Sequence, residues 1–455
     1  MLGLGGVVPP ADVLGRMADS EAIRADAQAR PGASPRQVAA VVAGNALEFY
    51  DFLTYAYFAV QIGRSFFPSA DPTASLLASL ATFGVGFGMR PVGAWVIGRF
   101  GDRRGRKPAM LLSFALMGLG MTGLALTPSY AQIGAVAPAL AVLWRLIQGF
   151  ALGGEVGPST AFLAEASGPG RRGFYVSLQL ASQRAASLAA GLIGLALASH
   201  ISSAALDAWG WRAAFLAGSI IIPLGLVLRN GLSETLSRGP EAKTTDGGPP
   251  VRLIAGVALI MLSGGTIASY VTDYLTTYAT TTLQMGRGVA FFAPVASGLA
   301  GVVFAPFGGW LSDKVGRRPV MLGSWVLMLV GVMPMFMLLE HSRSALALIL
   351  LSATLTAATV VMFSAALTAV GEGLPMRIRS GGLGLIYAVA IASFGGTAQF
   401  VVAWLTRLTH NPLAPAWYLT AAVAVSLLAT LAMPETAPVS AARRLDRLSS
   451  ARIPA

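Results

Sequence analysis

Apolar runs of about 20 residues recur from residue 38 to residue 433 of this 455-residue chain. Each is long enough to cross the roughly 30 Å hydrocarbon core of a bilayer as an α-helix. A spanning strand would instead alternate in polarity over about ten residues, and the runs do not alternate. Charged residues are 11% of the chain and hydrophobic ones 55%, whereas a soluble domain carries about 25% charged residues. So few charges cannot cover a water-exposed surface. The fold class that follows is an all-α polytopic membrane protein, with the lipid bilayer as its surroundings.

Twelve spans are expected, with limits near 38–62, 74–98, 108–127, 132–164, 172–199, 211–229, 252–283, 288–311, 319–339, 344–372, 380–405 and 415–433. The long polar connector at 230–251, rich in Gly, Pro and charge, divides them into two sets of six. The expected organisation is a tail (1–37), a six-helix bundle (38–229), the linker (230–251), a second bundle (252–433) and a tail (434–455). Residues 1–37 lack the apolar segment and cleavage site of a signal peptide.

Most basic residues lie on the even-numbered links and the tails, including Arg99, Arg103, Arg104, Arg171, Arg229, Lys314 and Arg379. The opposite links hold only Arg64, Arg212, Arg287, Arg343 and Arg407. The positive-inside bias then places both termini in the cytoplasm. This distribution also accounts for the net charge of +12 without nucleic acid as a partner. The absence of cysteine rules out disulfides and thiolate metal sites. His200, His341 and His410 fall at outer helix ends, and no metal site or cofactor is expected.

The halves repeat. GRFGDRRGRKPAM (98–110) is matched by GWLSDKVGRRPVM (309–321), and SET (233–235) by PET (434–436). Parallel six-span repeats imply two pseudo-symmetric bundles with a substrate site between them near the midplane. The repeated loop resembles the signature between spans two and three of the major facilitator superfamily. That resemblance implies a gating role for Gly98, Asp102, Gly105, Arg106 and Lys107 and for their counterparts Gly309, Asp313, Gly316, Arg317 and Arg318. GNALEFYDF (44–52), the stretch FGMRPVGAWVIGRFGDRRGRK (87–107), RLIQGFALGGEVG (145–157) and WGWR (209–212) are similar to the metabolite–proton symporter branch of that superfamily. The phrases around FFP (66–68), GFY (173–175) and IIPL (221–224) look closest to its citrate and tricarballylate carriers. Arg184 departs from the pattern, standing where the resemblance leads one to expect an uncharged residue.

Charged side chains at bilayer depth are costly and usually mark function. Asn45, Glu48, Phe52 and Tyr55 recur at helical spacing on span one, with Asp51 beside them. Two carboxylates so close repel when both are ionised, and protonating one relieves the repulsion. Glu48, Asp51 and Glu155 are therefore candidate proton carriers. Arg90, Arg145 and Arg184 are the three interior arginines. A guanidinium binds a carboxylate bidentately and keeps its charge, so the three are candidate anion ligands. Arg145 can equally pair with Glu155 or a span-one acid, and Arg90 can serve packing. Asn45, Tyr55, Gln148, Gln183, Tyr270 and Asp273 complete the candidate substrate set. Glu165 and Glu372, at predicted cytoplasmic helix ends, read as gating residues.

The expected function is a proton-coupled symporter importing a small organic anion by alternating access, a tricarboxylate such as citrate or tricarballylate first, working as a monomer in a bacterial inner membrane. The alternatives are a dicarboxylate or oxo-acid, shikimate or proline/betaine as substrate. A proton-driven drug antiporter would favour acids without interior arginines. No nucleophile–base set or nucleotide loop points to an enzyme, and the tails are short for a sensor.

Overall fold

The computed structural model describes residues 35–104, 106–153, 160, 162–164, 167, 170–219, 251–375 and 379–437. Among the described residues there is no β-strand, and helices occupy all twelve expected spans. Helix α1 (Pro35–Tyr57) resumes after Phe58 as Ala59–Phe66. Helix α2 (Pro72–Gly88) continues past Met89 as Arg90–Arg104, and α3 (Arg106–Leu126) follows. Next come α4 (Val136–Leu152), α5 (Arg172–His200) and α6, seen as residues 211–219 after a π-helical turn, Leu206–Gly210. The second set is α7 (Val251–Thr281), α8 (Phe292–Val315), α9 (Arg317–Ser342), α10 (Ala345–Gly373), α11 (Arg379–Ala390, a π-turn at Ile391–Gly395, then Gly396–Thr409) and α12 (Ala414–Leu431).

Eight helices among the described residues are long and apolar enough to cross a membrane, and α3 and α4 are apolar but shorter. Helix α1 is not one of the eight; its polar stripe lowers its hydropathy. Local chemistry explains several boundaries. Pro91 cannot donate to the carbonyl four residues earlier, and the ladder tightens at Met89, whose N–H turns to the Gly86 carbonyl at 3.3 Å. Span four starts later than the sequence suggests. A separate turn, Tyr130–Ile133, closes on Gly134 with φ of 59°, a value glycine tolerates, and α4 begins only at Val136. Asp71 caps α2 by accepting from the Thr73 N–H at 2.9 Å.

The bundles meet along two crossings built from small residues. On α5 and α8, a methyl at Gly173 would meet the Gly309 carbonyl and one at Gly309 would meet the Gly173 carbonyl. Further along the same pair, Gly191 lies against Pro294 and Gly194 against Phe291. The second crossing brings Gly84 of α2 onto Gly396 of α11. Without a hydrophobic drive between helices in lipid, such close backbone approach is what holds them. Within the first bundle, Gly86 and Gly149 bring α2 onto α4 in the same way. The chain enters α1 and leaves α12 at one end of the molecule, the end that carries the repeated loops.

Candidate transport site

The first bundle encloses one charged cluster. Asp51 of α1 lies 3.6 Å from Arg145 of α4, and the two side chains are 1% and 2% exposed. Gln148, one turn along α4, bridges them. It accepts from Arg145 at 2.6 Å and donates to Asp51 at 3.2 Å. Aromatic rings replace water around the cations. The Arg145 guanidinium lies 4.5 Å from the Tyr55 ring centroid and 5.2 Å from that of Phe52. Arg90 stands 4.2 Å from the Phe87 centroid and 5.0 Å from that of Phe52. Two guanidiniums thus share one Phe52 ring, an arrangement favoured by the ring quadrupole when water is excluded. Glu48 is buried and interacts electrostatically with Arg90.

A second charged pair joins the bundles. Arg184 of α5 reaches Asp273 of α7 at 3.3 Å and donates to Ser269 at 3.1 Å. Tyr57 of α1 shares a hydrogen bond of 2.6 Å with the Ser187 hydroxyl and interacts electrostatically with the same Asp273. Arg184 and Asp273 line a cavity of about 40 Å³ between the bundles, with Gln183, Tyr270, Tyr387 and Phe52 among its walls. The π-turn of α11 supplies Ile391 to the same wall; such irregular turns commonly sit at functional sites. This volume holds a few waters and is far below that of a small-molecule site, about 300 Å³ or more. The bundles must part before a multi-carboxylate fits.

Polar contacts cross between the bundles at both ends. At the end with the repeated loops, Asp313 of α8 accepts from the N–H groups of Gly173 and Phe174, each at 3.0 Å. These are orphan donors at the start of α5, where the helix dipole also favours an anion. Arg317 holds that acid at 2.7 Å and Glu372 at 3.2 Å. Glu435, within the PET repeat, accepts from the backbone N–H groups of Arg317 and Arg318, each at 3.0 Å, and so caps α9. At the opposite end, Asp207 binds Arg64 at 2.6 Å and Arg287, which precedes α8, at 3.1 Å. Asp71 and Arg407 meet there at 2.7 Å.

A family model described as "Sugar (and other) transporter" matches residues 37–236 and 249–449. The chain belongs to this family, within the major facilitator superfamily. It is 36% identical over 402 residues to the citrate-proton symporter of Salmonella typhi, covering 86% of this chain and 92% of that protein. The citrate-proton symporter of Klebsiella pneumoniae is 33% identical, covering 88% and 91%. The alpha-ketoglutarate permease of Escherichia coli is 35% identical, covering 91% and 98%. In fold, a structure of the E. coli xylose transporter in a partially occluded inward open conformation superimposes with a TM-score of 0.70 at 17% identity, covering 88% of this chain and 98% of that one. The chain is a membrane transporter of the major facilitator fold, not an enzyme.

Within this facilitator, the candidate residues separate by position. Arg184, Gln183, Tyr270 and Asp273 line the central cavity. Arg145, Gln148, Asp51 and Arg90 form the buried cluster beside it. Asn45 donates to the Gln179 carbonyl at 3.0 Å and to Ser182 at 2.8 Å, tying α1 to α5. Tyr55 donates to the Ser79 carbonyl at 3.1 Å, tying α1 to α2. Of the gating set, Gly309, Asp313, Arg317 and Arg318 lie in the contacts above, and Gly316 takes φ of 124° between α8 and α9. Glu155, Glu165 and Gly105 lie outside the described residues, as do the side chains of Asp102, Arg106 and Lys107 and the surroundings of Gly98. Sequence reasoning missed Tyr387 and Ser269, which carry no charge to flag them. It also missed the Arg64–Asp207–Arg287 cluster, whose signal was two arginines on links otherwise poor in charge.

Proposed function

We propose that this transporter is a proton-coupled symporter that imports a small polycarboxylate, citrate or tricarballylate first, by alternating access. The observation that carries the reading is the Arg184–Asp273 pair, which spans the two bundles at the central cavity. A substrate carboxylate competes with Asp273 for the Arg184 guanidinium. Asp273, released from its cation in a dry site, then gains from taking up a proton. Anion and proton thus enter together. When the bundles rock, the proton leaves, Asp273 reclaims Arg184 and the anion is expelled. Glu48 and Asp51 are the further acids available to carry protons, with Arg145 and Arg90 supplying positive potential beside the cavity.

The citrate-proton symporters at 36% and 33% identity support this substrate class. The alpha-ketoglutarate permease at 35% favours a dicarboxylate oxo-acid as the second reading. On the positive-inside bias, the repeated loops and both termini face the cytoplasm of a bacterial inner membrane. The test is uptake of labelled citrate, tricarballylate and 2-oxoglutarate by proteoliposomes under an imposed inward proton gradient. Accumulation that collapses with a protonophore is expected. Saturable transport of shikimate or proline betaine, uncompeted by excess polycarboxylate, would overturn the substrate class.

A further inference from the structure

A second cavity is larger than the central one. It has a volume of about 590 Å³ and opens at the end away from the repeated loops, between the start of the first bundle and α7. That is within the range of small-molecule sites. Its walls carry two guanidiniums, Arg64 from the first bundle and Arg287 from the second. Three hydroxyls on those walls, Ser75, Thr276 and Thr277, are at most 4% exposed and have no hydrogen-bond partner. Buried hydroxyls without partners are uncommon and costly, and three around one cavity with two cations, one on α2 and two on α7, point to an anionic ligand rich in acceptors. Asp207 currently neutralises both arginines, its two oxygens within 2.6 to 3.3 Å of them.

We infer that this vestibule is a second anion-binding site, where a polycarboxylate docks between Arg64 and Arg287 and displaces Asp207. The ligand's carboxylates accept from Arg64 and Arg287, and its remaining oxygens accept from the hydroxyls of Ser75, Thr276 and Thr277. Displacement loosens the strap that ties the bundles at this end, because Asp207 and Arg64 belong to one bundle and Arg287 to the other. Tyr57 connects this site to the central one. It lines the vestibule and interacts electrostatically with Asp273, which lines the central cavity. The choice of a polycarboxylate rests on the proposed function; the anion preference rests on the vestibule itself.

The chain has no cysteine, so Thr280→Cys, on the vestibule wall, creates the only thiol. Its labelling by a membrane-impermeant maleimide is followed with purified protein in liposomes, with citrate, tricarballylate or 2-oxoglutarate added. At least one should protect the thiol, and uncharged glycerol should not. Protection should persist with Arg184→Gln in the same chain, which disables the central site. Arg64→Gln or Arg287→Gln should raise the concentration for half-protection about tenfold, the effect of one lost charge-assisted hydrogen bond. Arg64→Lys and Arg287→Lys, which keep the charge, should restore most of it and show that the fold is intact. Absence of protection by all three anions, loss of it with Arg184→Gln, or indifference to both glutamine variants would overturn the vestibule site. Proteoliposome uptake without protection discards the vestibule alone; protection without uptake of any polycarboxylate discards the transport reading alone.

Discussion

Among the buried arginine–aspartate pairs of the described residues, Asp51–Arg145 and Asp273–Arg184 differ in what they join. Asp51 and Arg145 belong to the same bundle, are bridged by Gln148 and are almost fully buried. Asp273 and Arg184 belong to different bundles and face a cavity. A pair inside one bundle keeps its partners however the bundles rock. A pair between bundles must break when they part, and something must then satisfy each charge. Removing one partner of a fully buried pair is expensive because the other charge stays stranded. Where a cavity opens, water, a proton or a substrate can take the missing partner's place. On the proposed function, the first pair is expected to serve structure and electrostatic background and the second the transport cycle.

The largest effect should follow Arg145→Gln. Asp51 is then left as an uncompensated buried charge, at about 3–5 kcal/mol. Much less folded protein in the membrane, a lower unfolding temperature in detergent and no uptake of any substrate are expected. Adding Asp51→Asn should recover most of the stability without restoring uptake. An Arg145→Gln protein as stable as wild type would erase the distinction between the pairs.

Arg184→Gln should spare stability by comparison, since Asp273 borders a cavity and can protonate. Polycarboxylate uptake should fall by about one to two orders of magnitude, the loss of a bidentate charged contact of roughly 1.5–3 kcal/mol, and monocarboxylates should suffer less. Asp273→Asn should leave counterflow exchange in place while abolishing accumulation against a gradient. If Asp51→Asn or Glu48→Gln uncouples instead, and Asp273→Asn accumulates normally, the coupling proton belongs to α1 and the comparison reverses.

A smaller effect is expected at Asp313, which sits between bundles but at the end with the repeated loops. Asp313→Asn weakens its hold on Gly173, Phe174 and Arg317 together. Turnover should change by about tenfold, as for roughly 1.4 kcal/mol, with equilibrium substrate binding within a few-fold. A large loss of affinity with unchanged exchange kinetics would make this acid a recognition residue.

The apolar runs were legible because bilayer thickness sets their length, and the three interior arginines were legible because a charge inside such a run has few places to go. All three are buried. The partners were harder to read. Helical spacing groups Asn45, Glu48, Phe52 and Tyr55 on one stripe of α1, yet Asn45 contacts α5 and Tyr55 contacts α2. A bundle helix has neighbours on several sides, and periodicity fixes the stripe without fixing what it faces. Asp51, written off that stripe, is the residue that meets Arg145. The PET repeat was visible as a repeat only; its role as the cap of α9 needs the fold that brings residue 435 to residue 317. Tyr387 was invisible because an aromatic in an apolar helix looks the same whether it faces lipid or a cavity.

The smallest effect should come from an exposed inter-bundle pair, Asp71 with Arg407. It too joins the bundles, at 2.7 Å, but its side chains are 41% and 49% exposed. Water solvates both charges whether the pair is made or broken, so such pairs contribute little. The Thr73 backbone N–H, and beyond it Arg407, hold the Asp71 carboxyl below its ordinary range. For an acid shifted in that direction, the stabilisation is present above the unfolded-state value and is lost only as pH falls through the lower folded-state one. Asp71 therefore stays ionised from pH 5 to pH 8, where a proton gradient works, and cannot supply pH dependence to transport. Asp71→Asn should change maximal uptake by less than about twofold and leave its pH profile unmoved. Joining the bundles would then not be enough to make a pair part of the cycle; the pair must also be dry. A shift of the pH profile in Asp71→Asn, with Asp273→Asn leaving the profile alone, would place the titrating contact at the exposed rim rather than in the cavity.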